Sequence, residues 1–298
     1  MPQPLVYVVI LNWNLREDTA ECVRSVLSAH YSRLHLLVVD NGSEDGSPEY
    51  LMRLFPGLDM VVNAMNVGFS RGNNVGIRRA LDEQAEYVFL LNNDAVADAR
   101  MFDSLVACAE GAADVGIVAP KILYYGQKDR IWHLGGRARR WLPVPETLGH
   151  NQRDDGRFTA PLKVDYVTFC GALLKRRLLE SIGLLDERFP FAYEDSDFCC
   201  RARTAGYRIL CQPEARMWHK ASVSSQRDAA KVKYLKAQGR AMFYRLHPHG
   251  PSPGLTTAFV WASTLAGALK DTLRGDVAAA ASALRGLYHG YRTRLETL

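Results

Sequence analysis

The sequence predicts an α/β protein whose mostly parallel central sheet is flanked by helices and followed by a C-terminal helical extension. Three observations carry this expectation. The first 120 residues alternate short apolar runs with segments of helical spacing. The runs are apolar throughout, the pattern of strands covered on both faces. After Ser225 the pattern turns to helix only.

Leu5–Leu11 is a β-branched run and reads as the first strand; Thr19–Ala29 follows with helical spacing. Leu34–Val39 is a second buried run, closed by Asp40-Asn-Gly-Ser, which is turn chemistry. A helix near Pro48–Leu54 leads to a strand at Met60–Val62, then a helix over Ser70–Leu81, a strand over Tyr87–Leu91, a helix over Met101–Glu110 and a strand over Val115–Ala119. From Tyr124 to Lys163 the stretch is rich in Gly, Pro, Arg and Trp and reads as irregular loops over the sheet edge. Regularity returns at Val164–Thr168, a helix at Lys175–Ile182 and a polar helix starting near Tyr193. Helices then follow over Lys231–Leu246, Leu255–Leu273 and Val277–Leu295, the first two separated by a Pro/Gly break at 247–254. The expected division is an α/β domain over residues 1–225 and a helical region over 226–298.

Six cysteines show neither Cys-x-x-Cys nor a His-spaced zinc pattern, so they read as reduced thiols of a cytoplasmic protein, with at least one of adjacent Cys199 and Cys200 a packing residue. Met-Pro-Gln-Pro runs into an apolar strand with no basic segment, so no signal peptide is expected. The net charge of +5 is uneven: residues 201–298 hold 16 Lys and Arg against 5 Asp and Glu, while residues 1–200 hold 21 against 27. A basic C-terminal part suggests an anionic surface as partner; a solvated basic face is the plain alternative. No nucleic-acid partner is expected. The apolar stretch Leu255–Leu269 is about 15 residues, where a spanning helix needs about 20. An interfacial helix lying on a bilayer, giving a peripheral membrane location, and an ordinary packed subdomain both remain open.

Asp40 ends the second strand and Asp94 the fourth, so both carboxylates belong at one edge of the sheet, where open α/β sheets bind ligands. Between them, Asn66-Val-Gly-Phe-Ser-Arg-Gly-Asn-Asn74 is a glycine-punctuated loop opening a helix. Close backbone approach at Gly68 and a helix N-terminus suit a diphosphate, to which Arg71 adds charge. The loop carries neither Gly-Lys-Ser/Thr nor Gly-x-Gly-x-x-Gly. Glu194, Asp195 and Asp197 sit among aromatics, where desolvation and like charge raise a carboxylate pKa and suit a general base; acidic residues in a first helical turn are the plain alternative. His219, in Met217-Trp-His219, offers an imidazole that could complete a metal site with Asp94, although a lone His is more often structural.

Together these segments resemble the family 2 glycosyltransferases of GT-A fold, particularly the bacterial branch that includes rhamnosyltransferases. The resemblance runs from about Val6 to Ser225. It rests on Val9-Ile-Leu-Asn-Trp-Asn14, Val38-Val-Asp-Asn-Gly-Ser43, Asn66-Val-Gly-Phe69, Leu90-Leu-Asn-Asn-Asp94, Gly171-Ala-Leu-Leu174, Gly183-Leu-Leu-Asp-Glu-Arg-Phe189, Tyr193-Glu-Asp-Ser-Asp197 and Trp218-His219, in family order. It implies an inverting transferase that moves a sugar from a nucleoside-diphosphate donor to a glycan or polyprenyl-linked acceptor. By resemblance Asp40 would bond the base of the donor, with Leu11 and Trp13 lining its pocket and Arg71, Asn66, Gly68 and Asn93 near the nucleotide. Asp94 would bind a divalent cation (Mg²⁺ or Mn²⁺) on the diphosphate, with His219 as helper. Asp195, paired with Glu194, would be the catalytic base. Gly171, Ala172 and Trp132, with His133, Trp141 and Gly135-Gly136, would shape the acceptor side. Asn92 and Asn93 stand where many members carry a further acid, so the cation is expected to lean on the donor phosphates.

Two other readings compete. A nucleotidyltransferase typically needs a basic glycine-rich loop after the first strand, where Asn12-Trp-Asn-Leu-Arg16 stands here. A non-catalytic glycan-binding protein on the same fold would be marked by loss of Asp94 or Asp195, and both are present.

Overall fold

Residues Val6–Asn12 form β1, buried at every position but Leu11. Its side chains divide by alternation: Val6, Val8 and Ile10 enter one core, Tyr7 and Val9 the other. A strand that feeds two cores needs helices on both faces. One face is covered by α1 (Arg16–Leu27), α2 (Ser47–Leu54) and α4 (Met101–Glu110), the other by α3 (Phe69–Asp82), α5 (Arg176–Ile182) and α6 (Glu194–Thr204). The computed structural model describes residues 3–139, 145–221, 229–248 and 252–295.

The remaining strands of the first half are β2 (Leu34–Asp40), β3 (Asp59–Val62), β4 (Tyr87–Asn92), β5 (Ala95–Ala97) and β6 (Val115–Tyr124). The second half adds β7 (Gln127–His133), β8 (Gly136–Arg137), β9 (Glu146–Thr147), β10 (Leu162–Val164), β11 (Gly171–Lys175) and β12 (Arg208–His219). The main path of the sheet is β10-β12-β6-β11-β4-β1-β2-β3, with β5 on β12 and β7 on β6. Six of these eight strands run one way; β10 and β11 run against them. The sheet is therefore mostly parallel, as expected.

The connections place the site. From β1 the chain steps outward to β2 and β3, then returns to lay β4 on the other side of β1. The direction of winding reverses between β1 and β4, and a crevice opens at the carboxyl ends of the two strands there. The register brings those ends level, with Asn12 opposite Asp40 and Leu11 opposite Asn92.

The stretch expected to be irregular, Tyr124–Lys163, holds β7, the small β8–β9 pair and the start of β10. These strands are short or, in β7, exposed over four residues in a row, so no apolar run announces them. β11 differs most from expectation. The sequence reading assigns no strand to Gly171–Lys175, yet it is an antiparallel strand between β4 and β6. A two-sided buried strand and a buried helix start share the same short apolar signature. β12 and β5 were not foreseen either.

The C-terminal helices are α7 (Ala229–Leu246), α8 (Pro253–Leu273) and α9 (Val277–Arg292), each within three residues of its expected bounds. Ser252 and Asp276 cap the last two with side-chain bonds to Leu255 N and Ala279 N. A third core, of Ala237, Ala241, Tyr244, Val260 and Leu287, joins them. The α7 backbone also rests on the loop before α6. A Cβ added to Gly239 would lie 2.8 Å from the Ala192 carbonyl oxygen, so only glycine allows this approach. The expected domain boundary at residue 225 lies outside the described residues. All six cysteines are free, and Cys199 is buried while Cys200 is partly exposed.

Candidate active site

A cavity of about 590 Å³ opens in the crevice between β1 and β4. Leu11 and Trp13 line it from the end of β1, Asn41 from the end of β2 and Asn92–Asp94 from the end of β4. Asn66–Phe69 at the start of α3, Thr168–Cys170 before β11 and Pro190–Ala192 with Glu194 complete the wall. Lys231, Val232 and Leu235 close it from α7. Trp13 is 37% exposed, an indole face held at a cavity wall.

A network of amides builds this edge. Asn12 Nδ2 donates to Asp40 Oδ1 at 2.6 Å, and its Oδ1 accepts from Thr19 Oγ1 at 2.6 Å. Asn93 Nδ2 lies within hydrogen-bond distance of Asn12 Oδ1, Asn14 O and Thr19 Oγ1. Asn93 thus lines the cavity while its amide faces three acceptors. An aspartate in its place would set negative charge against them, which gives a physical reason for the amide. Asp40 is fully buried and accepts from Asn12, Ser43 N and Ser43 Oγ. The structure sets it behind the wall, and Asn41 takes the position facing the cavity. Asn41 in turn holds the Asn66–Gly68 loop, donating to Asn66 Oδ1 and Gly68 O and accepting from Val67 N.

Gly68 has φ +90°, and a Cβ there would lie 3.0 Å from the Pro190 carbonyl oxygen. Phe69 N donates to that same oxygen at 2.8 Å. Ser70 and Asn74 on α3 clamp the backbone of Leu185 and Phe189. The glycine-punctuated loop therefore fixes the segment that leads into α6. Arg71 is not on the cavity wall. Its side chain is 61% exposed and pairs with Glu187 at 3.0 Å.

Asp94 and His219 meet. His219 Nε2 lies 3.0 Å from Asp94 Oδ1, and both residues are buried, at 6% and 4% exposure. The ladder of β5 with β12 sets this, pairing His219 with Ala95, and Lys220 N donates to the Asp94 carbonyl. Two ligands side by side on an octahedral cation at about 2.0–2.1 Å are about 3.0 Å apart. His219 Nδ1 is buried without a partner. The pair fits a divalent cation that takes most of its ligands elsewhere, and among the described residues no cluster of three or more His, Cys, Asp and Glu exists. Trp132 packs edge-on against the His219 ring, centroids 4.6 Å apart, behind the pair and off the cavity wall.

The N-terminus of α6 meets the same cavity through Glu194, while Asp195 and His219 are not among the residues that line it. Ala192 and Tyr193 both have positive φ, at 65° and 72°, and this turn aims Glu194 at the cavity. Glu194 is buried with its Oε2 unpaired. Burial pushes its pKa well above the usual carboxylate range, and the charge of Asp195 adds to this. Burial also raises Asp195, to about 6, against hydrogen bonds from Ser196 N and Oγ that lower it. Asp197 turns away, paired with Arg201 and His247.

The acceptor-side residues fall differently from expectation. Gly171 and Ala172 lie within β11, with Ala172 in the core opposite Leu90, so neither reaches the cavity. Residues 168–170, just before the strand, do. His133 is buried, and burial lowers its pKa to about 4. Trp141 lies outside the described residues. Sequence reasoning missed Asn12 and Asn41, whose motifs were in view, and Lys231, Val232 and Leu235, which a helical segment without motif gave no reason to single out.

This arrangement has parallels in known proteins. The family model described as glycosyl transferase family 2 matches residues 7–183. The hexosyltransferase Agl10 of low-salt glycan biosynthesis from Haloferax volcanii is 26% identical over 212 residues, covering 69% of this chain and 64% of that protein. An N-acetylglucosaminyl-diphospho-decaprenol L-rhamnosyltransferase of Mycobacterium tuberculosis is 24% identical over 215 residues, covering 65% of this chain and 69% of its own. Among solved structures, the mannosyltransferase PcManGT of Pyrobaculum calidifontis with GDP-Man and Mn²⁺ gives a TM-score of 0.57 at 20% identity, covering 96% of this chain and 76% of that one. GalNAc-T7 with UDP, GalNAc and Mn²⁺ gives 0.64 at 15% identity, covering 86% and 53%. These neighbours share the GT-A glycosyltransferase fold. With the family model spanning more than half of its length, the chain belongs to glycosyl transferase family 2.

Proposed function

We propose that the protein is an inverting glycosyltransferase that moves a sugar from a nucleoside-diphosphate donor, dTDP-rhamnose or a UDP-sugar, to a hydroxyl of a lipid-linked or cell-envelope glycan. One observation carries the reading: Asp94, held against His219, and Glu194, next to Asp195, line one cavity, and burial raises the pKa of both Glu194 and Asp195. The names of the relatives support it, since they include rhamnosyl and hexosyl transferases and an O-antigen biosynthesis protein.

In this reading Trp13 and Leu11 take the base by stacking and apolar contact. Asn41 and the backbone of Asn66–Gly68 take the ribose and diphosphate. Asp94 and His219 would hold Mg²⁺ or Mn²⁺ on the diphosphate, where the cation would supply charge neutralisation for the leaving group. Lys231 brings positive charge to the same cavity from α7. Asp195 accepts the proton of the acceptor hydroxyl as its oxygen attacks the anomeric carbon, and attack opposite the diphosphate inverts that centre. Glu194, whose pKa burial raises, brings its unpaired Oε2 to the cavity.

The same reading places the protein on the cytoplasmic face of a membrane, with the C-terminal helices on the lipid surface. Among the described residues no helix is long and apolar enough to cross a membrane. Leu255, Leu265, Leu269 and Leu273 of α8 are each more than half exposed, and Val277 beside them is 62% exposed. Their spacing puts the leucines on one stripe of the helix, with Lys270, Arg274 and Arg285 exposed close by. An apolar stripe with basic neighbours suits an anionic bilayer.

The test is product analysis with a panel of nucleotide sugars and membrane-extracted acceptors. Release of a nucleoside diphosphate with acceptor-dependent sugar transfer is expected. Pyrophosphate release from a nucleoside triphosphate would point instead to a nucleotidyltransferase.

A further inference from the structure

His219 is the last residue of β12, and the chain leaves the sheet through Lys220 and Ala221, whose φ is +46°. On one side Tyr125 N donates to the His219 carbonyl, and on the other Lys220 N donates to the Asp94 carbonyl, each at 3.0 Å. These bonds close the end of the strand, and the end of an element is where backbone bonds open most readily. A cation ligand in that place needs a second hold on the chain.

The side chain of Lys220 supplies one. Its Nζ donates to Asp18 Oδ1 and, at 2.6 Å, to Glu21 Oε2. The two acids stand three residues apart, on one face of α1. Tyr125 donates its hydroxyl to Glu21 Oε1 at 2.6 Å, and the Lys220 ammonium lies 4.9 Å from the centre of the Tyr125 ring. The Lys220 side chain is 17% exposed, so these charge-assisted bonds are largely sheltered from water. Lys220, Asp18 and Glu21 are not among the residues that line the cavity between β1 and β4. The ammonium is engaged within the protein and is not presented to a diphosphate.

The same helix holds the other partner of the pair. Cys22 Sγ donates to the Asn92 carbonyl, Asn93 Nδ2 meets Thr19 Oγ1 at 3.0 Å, and Ala97 N donates to Ser25 Oγ at 3.0 Å. Asp94 stands between Asn93 and Ala97 in the chain, so α1 fixes it from both sides. The β5–β12 ladder brings Asp94 and His219 together, and α1 anchors each of the two segments that carry them.

We propose that Lys220 is a positioning residue for the cation. Clamped to Asp18 and Glu21, it keeps His219 Nε2 3.0 Å from Asp94 Oδ1, a separation that suits two adjacent ligands of an octahedral ion. In this role Lys220 acts through His219 and does not itself meet the ion. The inference rests on the cation pair of the transferase reading above and adds to it the residues that hold that pair.

The experiment measures, by calorimetry, the affinity of the full chain for UDP or dTDP in excess Mn²⁺ and again in EDTA. The ratio of the two affinities is the gain due to the cation. Lys220→Met should reduce that gain by about fivefold or more, on the scale of losing an outer partner of a metal ligand, and leave the affinity in EDTA within about twofold. Asp18→Asn with Glu21→Gln, which opens the clamp from α1 without altering β12, should do the same. In a His219→Ala background Lys220→Met should reduce the gain by less than about twofold further, because the residue it positions is gone. Equal losses in Mn²⁺ and in EDTA, or a chain that neither variant lets fold, would assign the clamp to the fold alone and overturn the inference. So would the full loss appearing on top of His219→Ala. A gain that survives both variants would also overturn it, and would leave the transferase reading intact. A wild-type chain whose nucleotide affinity Mn²⁺ does not change would overturn the cation pair itself.

Discussion

His219 Nε2 lies 3.0 Å from Asp94 Oδ1 although 125 residues separate them in sequence. The antiparallel ladder of β5 on β12 is what joins them, because Ala95, next to Asp94, pairs with His219. A three-residue strand thereby fixes the geometry of the proposed cation pair. Neither residue alone makes a site; together they offer one oxygen and one nitrogen to an ion whose other ligands must come from the donor. Excess EDTA should therefore abolish transfer, and added Mn²⁺ or Mg²⁺ should restore it. His219→Ala should raise the Mn²⁺ concentration needed for half-maximal rate by about tenfold, the scale of losing one metal contact. Asp94→Asn should lower kcat/KM by about 100-fold or more. Activity undiminished in EDTA would remove both residues from this role.

The raised pKa of Asp195 makes a pH prediction. A base with a folded pKa of about 6 is ionised at neutral pH and mostly protonated at pH 5. kcat/KM should fall about tenfold from pH 7 to pH 5, with a slope near one on the acid limb. The sign for stability is the reverse. The folded pKa lies above the unfolded value of 3.8, so the folded state holds its proton more tightly and loses stability as pH rises through that interval. Asp195→Asn should be more stable than wild type at pH 7, by about 1–3 kcal/mol, while losing transfer. Chemical denaturation at pH 4 and pH 7 checks this: the difference should shrink at the lower pH.

Asn93 is a test of the amide network. Its Nδ2 faces Asn12 Oδ1, Asn14 O and Thr19 Oγ1. Asn93→Asp should cost about 1–3 kcal/mol of stability at pH 7, because a donor becomes a charged acceptor among acceptors. A melting temperature equal to wild type would show that the network rearranges without penalty. The variant tightening the cation would show that an acid is tolerated where this chain carries an amide.

The α8 stripe is the test of the membrane proposal. Leu265→Ser with Leu269→Ser and Leu273→Ser should reduce co-sedimentation with anionic liposomes at low salt by about tenfold or more, from the apolar area removed. Hydrolysis of donor without acceptor should be unchanged, since none of these residues lines the cavity. Wild-type protein that fails to sediment would assign the stripe to packing or self-association.

The first half of the fold was legible because its strands are covered on both faces and its helices are amphipathic, so each run of residues signals its element. β11 was not, since Gly171-Ala-Leu-Leu-Lys175 is too short to tell a strand from the entry to a helix. β5 and β12 were hidden for a related reason: β5 has three residues, and β12 carries a proline, a bulge and charged positions. At the site, a motif marked the neighbourhood of a residue more faithfully than the direction of its side chain. Asp40 and Asn41 share one turn and both are buried, yet only Asn41 lines the cavity. Arg71 sits at the predicted helix start, but Glu187 draws it outward. Lys231 reaches the cavity only because α7 folds back onto the loop before α6, an approach that depends on Gly239 and that no local pattern encodes.

The central claim is that Asp195 takes the proton of an attacking hydroxyl while Asp94 and His219 hold the cation of the donor. The most direct measurement follows the anomeric configuration and rate of sugar transfer by NMR in wild type and Asp195→Asn, with donor affinity measured alongside. The account predicts an inverted product in wild type, and in the variant loss of transfer with donor affinity within about threefold of wild type. Turnover retained in Asp195→Asn, or a product of retained configuration, would contradict it.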